Sequence, residues 1–368
     1  MRVLVKLPNW VGDSVMATPA LDFLREQLPQ AEIIGIARSA VGGVLQGHPS
    51  LNEIITADER WLPPAIATQL LEKPFDAVAL MTNSLGSAWF ALRRVRSRIR
   101  VGYARGGRRL LLTHAIPFHR PDWQTPAPLP ISARSRVNGI GHPGHMVQYY
   151  SHIAEAAVKA LGIDAETDRL TLDTPLTLPR SAEVKTAMDQ LLQEHNPGRL
   201  PMVAINPGAA YGGAKRWPLK SLVAAGEHCA AALGGVLVST ASPFETALND
   251  ELASYARTNL LRLGEHLDLP MLIELMRRST LFFTNDSGAM HIAAAAQTPT
   301  VAIFGPTDWN VTYPWSRRAV VVRQSPPCAP CLLRECPIDH ICMTEIDTHR
   351  VASAGLDLLN ELKAAGGV

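Results

Sequence analysis

The sequence has neither a G-x-G-x-x-G after the first strand-like run of either half nor a G-x-x-x-x-G-K-[ST] anywhere. A dinucleotide oxidoreductase and a P-loop NTPase therefore both lose support. No run of 18 apolar residues offers a membrane span. The opening apolar strand is broken by Lys6, Asn9 and Asp13 and lacks a signal-peptide core, so the chain is expected to work in the cytoplasm. Aromatic residues make up only 6%, and 35 basic side chains stand against 33 acidic ones for a formal charge of +2. Nucleic acid, which calls for a strong positive field and stacking platforms, is not an expected partner. Cysteines number five, an odd count with four of them near the C-terminus, which fits a reducing compartment better than a secreted disulfide framework.

What is present is alternation. At roughly 100 to 200 residues per domain, a chain of 368 residues with 47% hydrophobic content suggests two domains with substantial cores. In the first half "RVLVKL", "AEIIGIA", "FDAVALM" and "RIRVGY" read as buried strands, with "ATPALDFLREQLP" as the clearest helix among them. "PMVAINPG", "GGVLVST", "LLRLG", "LFFTND" and "TPTVAIFGP" repeat the scheme in the second half. Strands alternating with helices predict an α/β fold of two doubly wound, mainly parallel sheets, joined by a linker within residues 161–181. Such sheets bind ligands at the carboxyl ends of their strands, which puts the expected site in a cleft between the domains.

Two strand-to-helix junctions in the second half suit a nucleoside diphosphate. In "FFTNDSGAMHIAAAAQTPTVAIFGPTD" a strand ends at Asn285-Asp286, Ser287-Gly288 form a small turn, and an Ala-rich helix begins with His291 in its first turn. Free N–H groups and the dipole at such a helix start attract phosphate. The plainer alternative makes Asp286 a helix cap and His291 a packed side chain. "AINPGAAYGGAKRWPLKSL" runs from Asn206 through three glycines to Lys215-Arg216, whose cations could clamp a diphosphate ahead of a helix starting near Pro218. A Gly-rich basic loop can also be a solvated turn. Two such loops on successive strand ends favour the nucleotide.

The first half offers different chemistry. Arg93, Arg94, Arg96, Arg98, Arg100, Arg105, Arg108 and Arg109 follow one another with no acidic residue among them. They form either a solvated basic face or a surface for an anionic, phosphorylated acceptor or an anionic membrane. Asp13 follows Gly12 where a strand meets a helix: it could cap a helix starting at Ser14, or lie in a loop ahead of a start at Thr18-Pro19, or both if the helix begins early and kinks. Cys328, Cys331, Cys336 and Cys342, spaced C-x2-C-x4-C-x5-C around His340, could hold zinc or an iron–sulfur group or pair as a disulfide. Their later spacings match no standard zinc module, and a reduced, metal-free surface loop is expected. Cys229 reads as core.

Together, "KLPNWVGDSVMATPAL", "NPGAAYGGAKRWP" and "TNDSGAMHIAAAAQTPTVAIFGPTD" resemble the bacterial ADP-heptose:lipopolysaccharide heptosyltransferases of glycosyltransferase family 9, in order and over nearly the whole chain. The pairing of G-D-x-x-x-x-x-P with D-[ST]-G-x-x-H is the specific part of the likeness. Within the family, "VGYARGGRRLLLTHAI" and "CAPCLLRECP" look like the members that add the second inner-core heptose. The resemblance implies two Rossmann-like domains facing across a cleft in the GT-B manner, and an inverting transfer that needs no metal or other cofactor. An acceptor-binding domain at residues 1–175 and an ADP-heptose-binding domain at 176–345 are expected, with a helix at 346–368 packing back toward the first. The implied acceptor is heptosyl-Kdo2-lipid A, met at the inner face of the inner membrane. Asp13 corresponds to the general base that deprotonates the acceptor hydroxyl. Lys215, Arg216 and the Ser287-Gly288 amides would stabilise departing ADP. Asp286 would shape the turn, His291 would contact the donor, and Glu245 would hold ribose hydroxyls, although Ser242-Pro243 replace a glycine expected before it. Arg105, Arg108 and Arg109 are the expected acceptor contacts.

Overall fold

The computed structural model describes residues 1–57, 64–118, 144–165 and 170–366, and the chain divides into two compact units that part at Pro179 and Arg180. The first unit holds six parallel strands: β1 (Arg2–Lys6), β2 (Glu32–Ala37), β3 (Glu53–Thr56), β4 (Phe75–Leu80), β5 (Ser97–Tyr103) and β6 (His114–Ile116). They lie in the order β3-β2-β1-β4-β5-β6. The second unit repeats the winding with β7 (Met202–Asn206), β8 (Val236–Ser239), β9 (Leu260–Leu261), β10 (Leu281–Asn285), β11 (Thr300–Phe304) and β12 (Ala319–Arg323), ordered β12-β11-β10-β7-β8-β9.

Central strands such as β7, β10 and β11 are buried along their whole length. That is why they read as unbroken apolar runs rather than alternating ones. Register fixes the middle of each sheet: Val3 lies beside Ile33 and Ala77, and Phe282 beside Ala204 and Thr300. The direction of winding reverses between β1 and β4 and again between β7 and β10, so each unit has its own crevice-forming switch point.

Two boundaries differ from expectation. Residues 176–179 belong to the first unit rather than the second, because polar contacts tie them there. The Thr177 N–H donates to Thr18 Oγ1 at 3.0 Å, its hydroxyl donates to Asp22 Oδ2 at 2.6 Å, and its carbonyl lies 3.1 Å from His48 Nε2. The C-terminal helix, expected over 346–368, runs Thr348–Ala364 and lays its apolar face on the core of its own unit. Val351, Ala352, Leu358 and Leu359 join the core of β7, β10 and the helix Leu219–Leu233. Gly355 makes this possible, since a Cβ there would come within 2.9 Å of Leu281 and 3.0 Å of Phe283.

Candidate functional site

In the second unit the carboxyl ends of β7 and β10 are stitched together by two asparagines. Asn206 donates to Ser287 Oγ at 3.1 Å, and Asn285 accepts from the Trp217 N–H at 2.9 Å while donating to the Pro207 carbonyl at 3.1 Å. These bonds hold the Gly-rich loop beside the start of the helix Gly288–Ala295. Lys215 Nζ then reaches Asp286 Oδ2 at 2.5 Å, and the Thr307 hydroxyl donates to the same oxygen at 2.7 Å. Both members of the ion pair are largely buried, at 13% and 6% side-chain exposure. A buried pair of this kind is held by its extra hydrogen bonds more than by Coulomb attraction alone. An ammonium has three donors, so the bond to Asp286 leaves others for an anion.

The helix beside this pair starts without a side-chain cap: Ser287 is the capping residue in extended backbone, yet its hydroxyl faces Asn206 and Thr284 instead of the first-turn amides. Asp286 is therefore not the cap that the plainer sequence reading made it. His291 is buried, with Nδ1 lacking a hydrogen-bond partner among the described residues, and its pKa is pushed down to about 3 by burial and then by the Lys215 charge. It is a neutral imidazole at physiological pH. Glu245 lies on a neighbouring turn, where one oxygen accepts from the Ser242 N–H at 3.0 Å and its hydroxyl at 2.9 Å. The other oxygen sits against the glycine loop, since a Cβ on Gly208 would come within 2.6 Å of it. Lys215, Glu245, Asp286, Ser287, Gly288 and His291 thus gather about one loop pair. Arg216, next in the chain to Lys215, is exposed and makes no ion pair among the described residues.

The cysteine segment turns out to brace that loop. The Ala214 N–H donates to the Arg334 carbonyl and the Gly213 N–H to Glu335 Oε1, each at 2.9 Å. Tyr211 donates to the Leu332 carbonyl, and His340 Nε2 lies 2.7 Å from the Ala214 carbonyl. Cys328 and Cys331 are exposed and Cys342 is buried, its thiol pushed up to about 11 chiefly by burial and further by the other three cysteines. Among the described residues no three His, Cys, Asp or Glu side chains are grouped to hold a metal ion. Cys229 lies in the core as expected.

In the first unit β1 leads through Leu7-Pro8 into the helix Val11–Met16, which breaks at Ala17 before the helix Thr18–Gln27. The early start with a break ahead of Pro19 is one of the arrangements the sequence left open. Trp10 occupies the capping position, so Asp13 stands in the first turn without capping it. Its carboxylate accepts from the Tyr150 hydroxyl at 3.1 Å. Burial, together with the Asp13 charge and bond, holds the Tyr150 pKa well above 10, so the phenol remains a donor. Tyr149 stands edge-on to Tyr150 at 5.4 Å, stacks on Tyr103 at 4.2 Å and donates to Asn83 Oδ1 at 2.7 Å. Tandem tyrosines, in a chain with only six, were the one sequence signal that could have flagged this wall.

Arg108 corrects an expectation. It is fully buried, and its guanidinium is used inside the fold on the Tyr103 carbonyl at 2.8 Å, Ser87 Oγ at 3.2 Å, Asn83 Oδ1 at 3.1 Å and the Thr82 carbonyl. Four of its five N–H donors are spent this way, and full burial keeps the guanidinium from an outside acceptor. Arg105 and Arg109 remain exposed, Arg105 lying 4.1 Å over the Phe118 ring.

With the residues of each unit described, comparison with known proteins becomes informative. The family model described as glycosyltransferase family 9 (heptosyltransferase) matches residues 64–342. The chain is 29% identical over 348 residues to lipopolysaccharide heptosyltransferase 2 of Escherichia coli, covering 88% of each chain. It is 26% identical over 339 residues to lipooligosaccharide heptosyltransferase 2 of Haemophilus influenzae, again covering 88% of each. The solved E. coli ADP-heptose lps heptosyltransferase II superposes with a TM-score of 0.75 at 26% identity, over 99% of this chain and 100% of that one.

Proposed function

The chain belongs to glycosyltransferase family 9, and from that premise we propose that it moves a heptose from ADP-heptose to the heptose already present on the lipid-linked inner core of lipopolysaccharide, with inversion at the anomeric carbon. The observation that supports it best is the Lys215–Asp286–Thr307 cluster beside an uncapped helix start at a sheet switch point. A buried ammonium with donors to spare, beside the free amides of a helix start, suits a diphosphate.

On this reading the ADP diphosphate lies against Lys215 and the first amides of the helix Gly288–Ala295. Asp286 keeps Lys215 aimed, and neutral His291 offers a hydrogen bond to the donor without adding charge. The Glu245 oxygen beside Gly208 accepts from a ribose hydroxyl. Asp13 takes the proton of the acceptor hydroxyl as its oxygen bonds to the anomeric carbon. The bond from that carbon to the ADP oxygen breaks on the opposite side, and the leaving group's charge falls on groups already oriented for it. Heptosyl-Kdo2-lipid A is the proposed acceptor, approached at the cytoplasmic face of the inner membrane, with Arg105 and Arg109 toward its anionic groups. Among the described residues no helix is long and apolar enough to cross a membrane.

Asp13→Asn tests the assignment. Transfer should fall by about 100- to 10,000-fold, the usual contribution of a general base, while ADP affinity by calorimetry stays at the wild-type value. Retained transfer would remove Asp13 from the chemistry, and binding of UDP in preference to ADP would remove the donor.

A further inference from the structure

Lys6 ends β1, a strand at which the first sheet reverses its winding. Its register partners are Ile36 on β2 and Leu80 on β4. Side chains alternate along a strand, so Lys6 stands on the face of Leu4, and Leu4, Ile36 and Leu80 belong to one core. Lys6 is thus the last member of an apolar row, at the carboxyl rim where sheets of this kind bind ligands. Arg38 lies two positions beyond Ile36 in extended backbone and continues the β2 row to the same rim.

A lysine so placed is unfavourable to the fold. It is half-buried, and neither its ammonium nor the guanidinium of exposed Arg38 makes a hydrogen bond or ion pair among the described residues. Burial, and then the Arg38 charge, pushes the Lys6 pKa below its ordinary value. Stability alone would be better served by a leucine or methionine at the end of that row.

An anion would remove the penalty. The donor's diphosphate already has Lys215 in the second unit, whereas only residues 7–10 separate β1 from the helix that carries Asp13. We propose that Lys6 and Arg38 bind an oxyanion of the acceptor, a carboxylate of its acidic sugars or a phosphate on its core, and so select which sugar stands before Asp13. The ammonium donates to one oxygen as a point charge and the guanidinium forks onto the pair. A neutral sugar would leave both charges as they are, and a metal cation would add to them. The inference rests on the proposed reaction, whose acceptor it describes.

Lys6→Met, which removes the charge but keeps an unbranched side chain, is the first test. In calorimetry with the delipidated acceptor oligosaccharide and no donor, the Kd should rise about 10- to 100-fold, the usual worth of a hydrogen bond to a charged group. Arg38→Gln should act in the same direction. In turnover the loss should appear in the acceptor KM, with the Kd for ADP at the wild-type value. The melting temperature of Lys6→Met should equal or exceed that of the wild type, because an unpaired half-buried charge has gone. If that variant melts early, Arg38→Gln, at an exposed position, decides. Phosphatase treatment of the oligosaccharide separates the two oxyanions: a variant effect that survives identifies a carboxylate, and one that vanishes identifies a phosphate. Wild-type oligosaccharide affinity in both variants would overturn the proposal. Variants that transfer heptose with the wild-type acceptor KM remove this site and leave the reaction. A wild-type protein that binds the oligosaccharide through Lys6 yet transfers no heptose does the reverse.

Discussion

Tyr150 and Asp13 show how one contact can orient a carboxylate. The buried Tyr150 hydroxyl donates to Asp13 Oδ1 at 3.1 Å and so fixes where that carboxylate points. Because Tyr150 itself ionises only well above pH 10, this bond persists across the working range. Tyr150→Phe should therefore lower kcat about fivefold, the worth of one hydrogen bond of about 1 kcal/mol, with melting temperature and ADP affinity unchanged; an unchanged kcat would show that the bond serves packing alone. Asp13 was legible in the sequence because Gly12, Asp13 and Pro19 are close together and form a recognisable spacing. Its partner was not, since 137 residues separate the two and no local pattern marks the pairing. Arg108 failed for a related reason. A run of arginines announces charge but not which guanidinium turns inward, and that depended on acceptors at Thr82 and Asn83, in the loop after β4, and at Ser87, in the helix that follows.

At the level of elements, every strand in the interior of a sheet was visible as an apolar run, and those that escaped notice were edges. β3, β6 and β12 each have a neighbour on one side only, and β3 and β6 are short and half-exposed, so little apolar length is demanded of them. The cysteine segment was visible as a motif but not as a brace. Part of its grip on the Gly-rich loop is made through backbone carbonyls, at Arg334 and Leu332, which any side chain could supply. Glu335 and His340 hold it through their side chains, Glu335 accepting from the Gly213 amide and His340 Nε2 lying 2.7 Å from the Ala214 carbonyl. Glu335→Ala should free that loop at a cost of about 1 kcal/mol, raising the Kd for ADP about fivefold while leaving kcat near wild type. Unchanged ADP affinity in calorimetry would mean that the brace does not reach the nucleotide.

Over the whole molecule the same winding occurs twice, and Asp13 follows β1 while Lys215 and Asp286 follow β7 and β10, strands at which it reverses. Those strands are distant in the chain: Val3 pairs with Ala77 in one sheet and Val203 with Leu281 in the other. Hairpin-like or next-neighbour βαβ contacts close shorter loops, so the reversal seam is the pairing with the largest entropic barrier in its sheet. A half-folded chain can thus possess nearly all its helices and most of its strand pairs and still have no place for a nucleotide. ADP should accordingly leave the rate of refolding unchanged and slow unfolding alone, a split that stopped-flow traces with and without ADP would resolve. Acceleration of refolding by ADP would mean that the loops after β7 and β10 meet before their strands do. If they do not, each newly made copy of the protein passes through a long blind interval in which abundant cellular adenine nucleotides can neither occupy it nor rescue it, and quality control must judge the chain by its exposed seam.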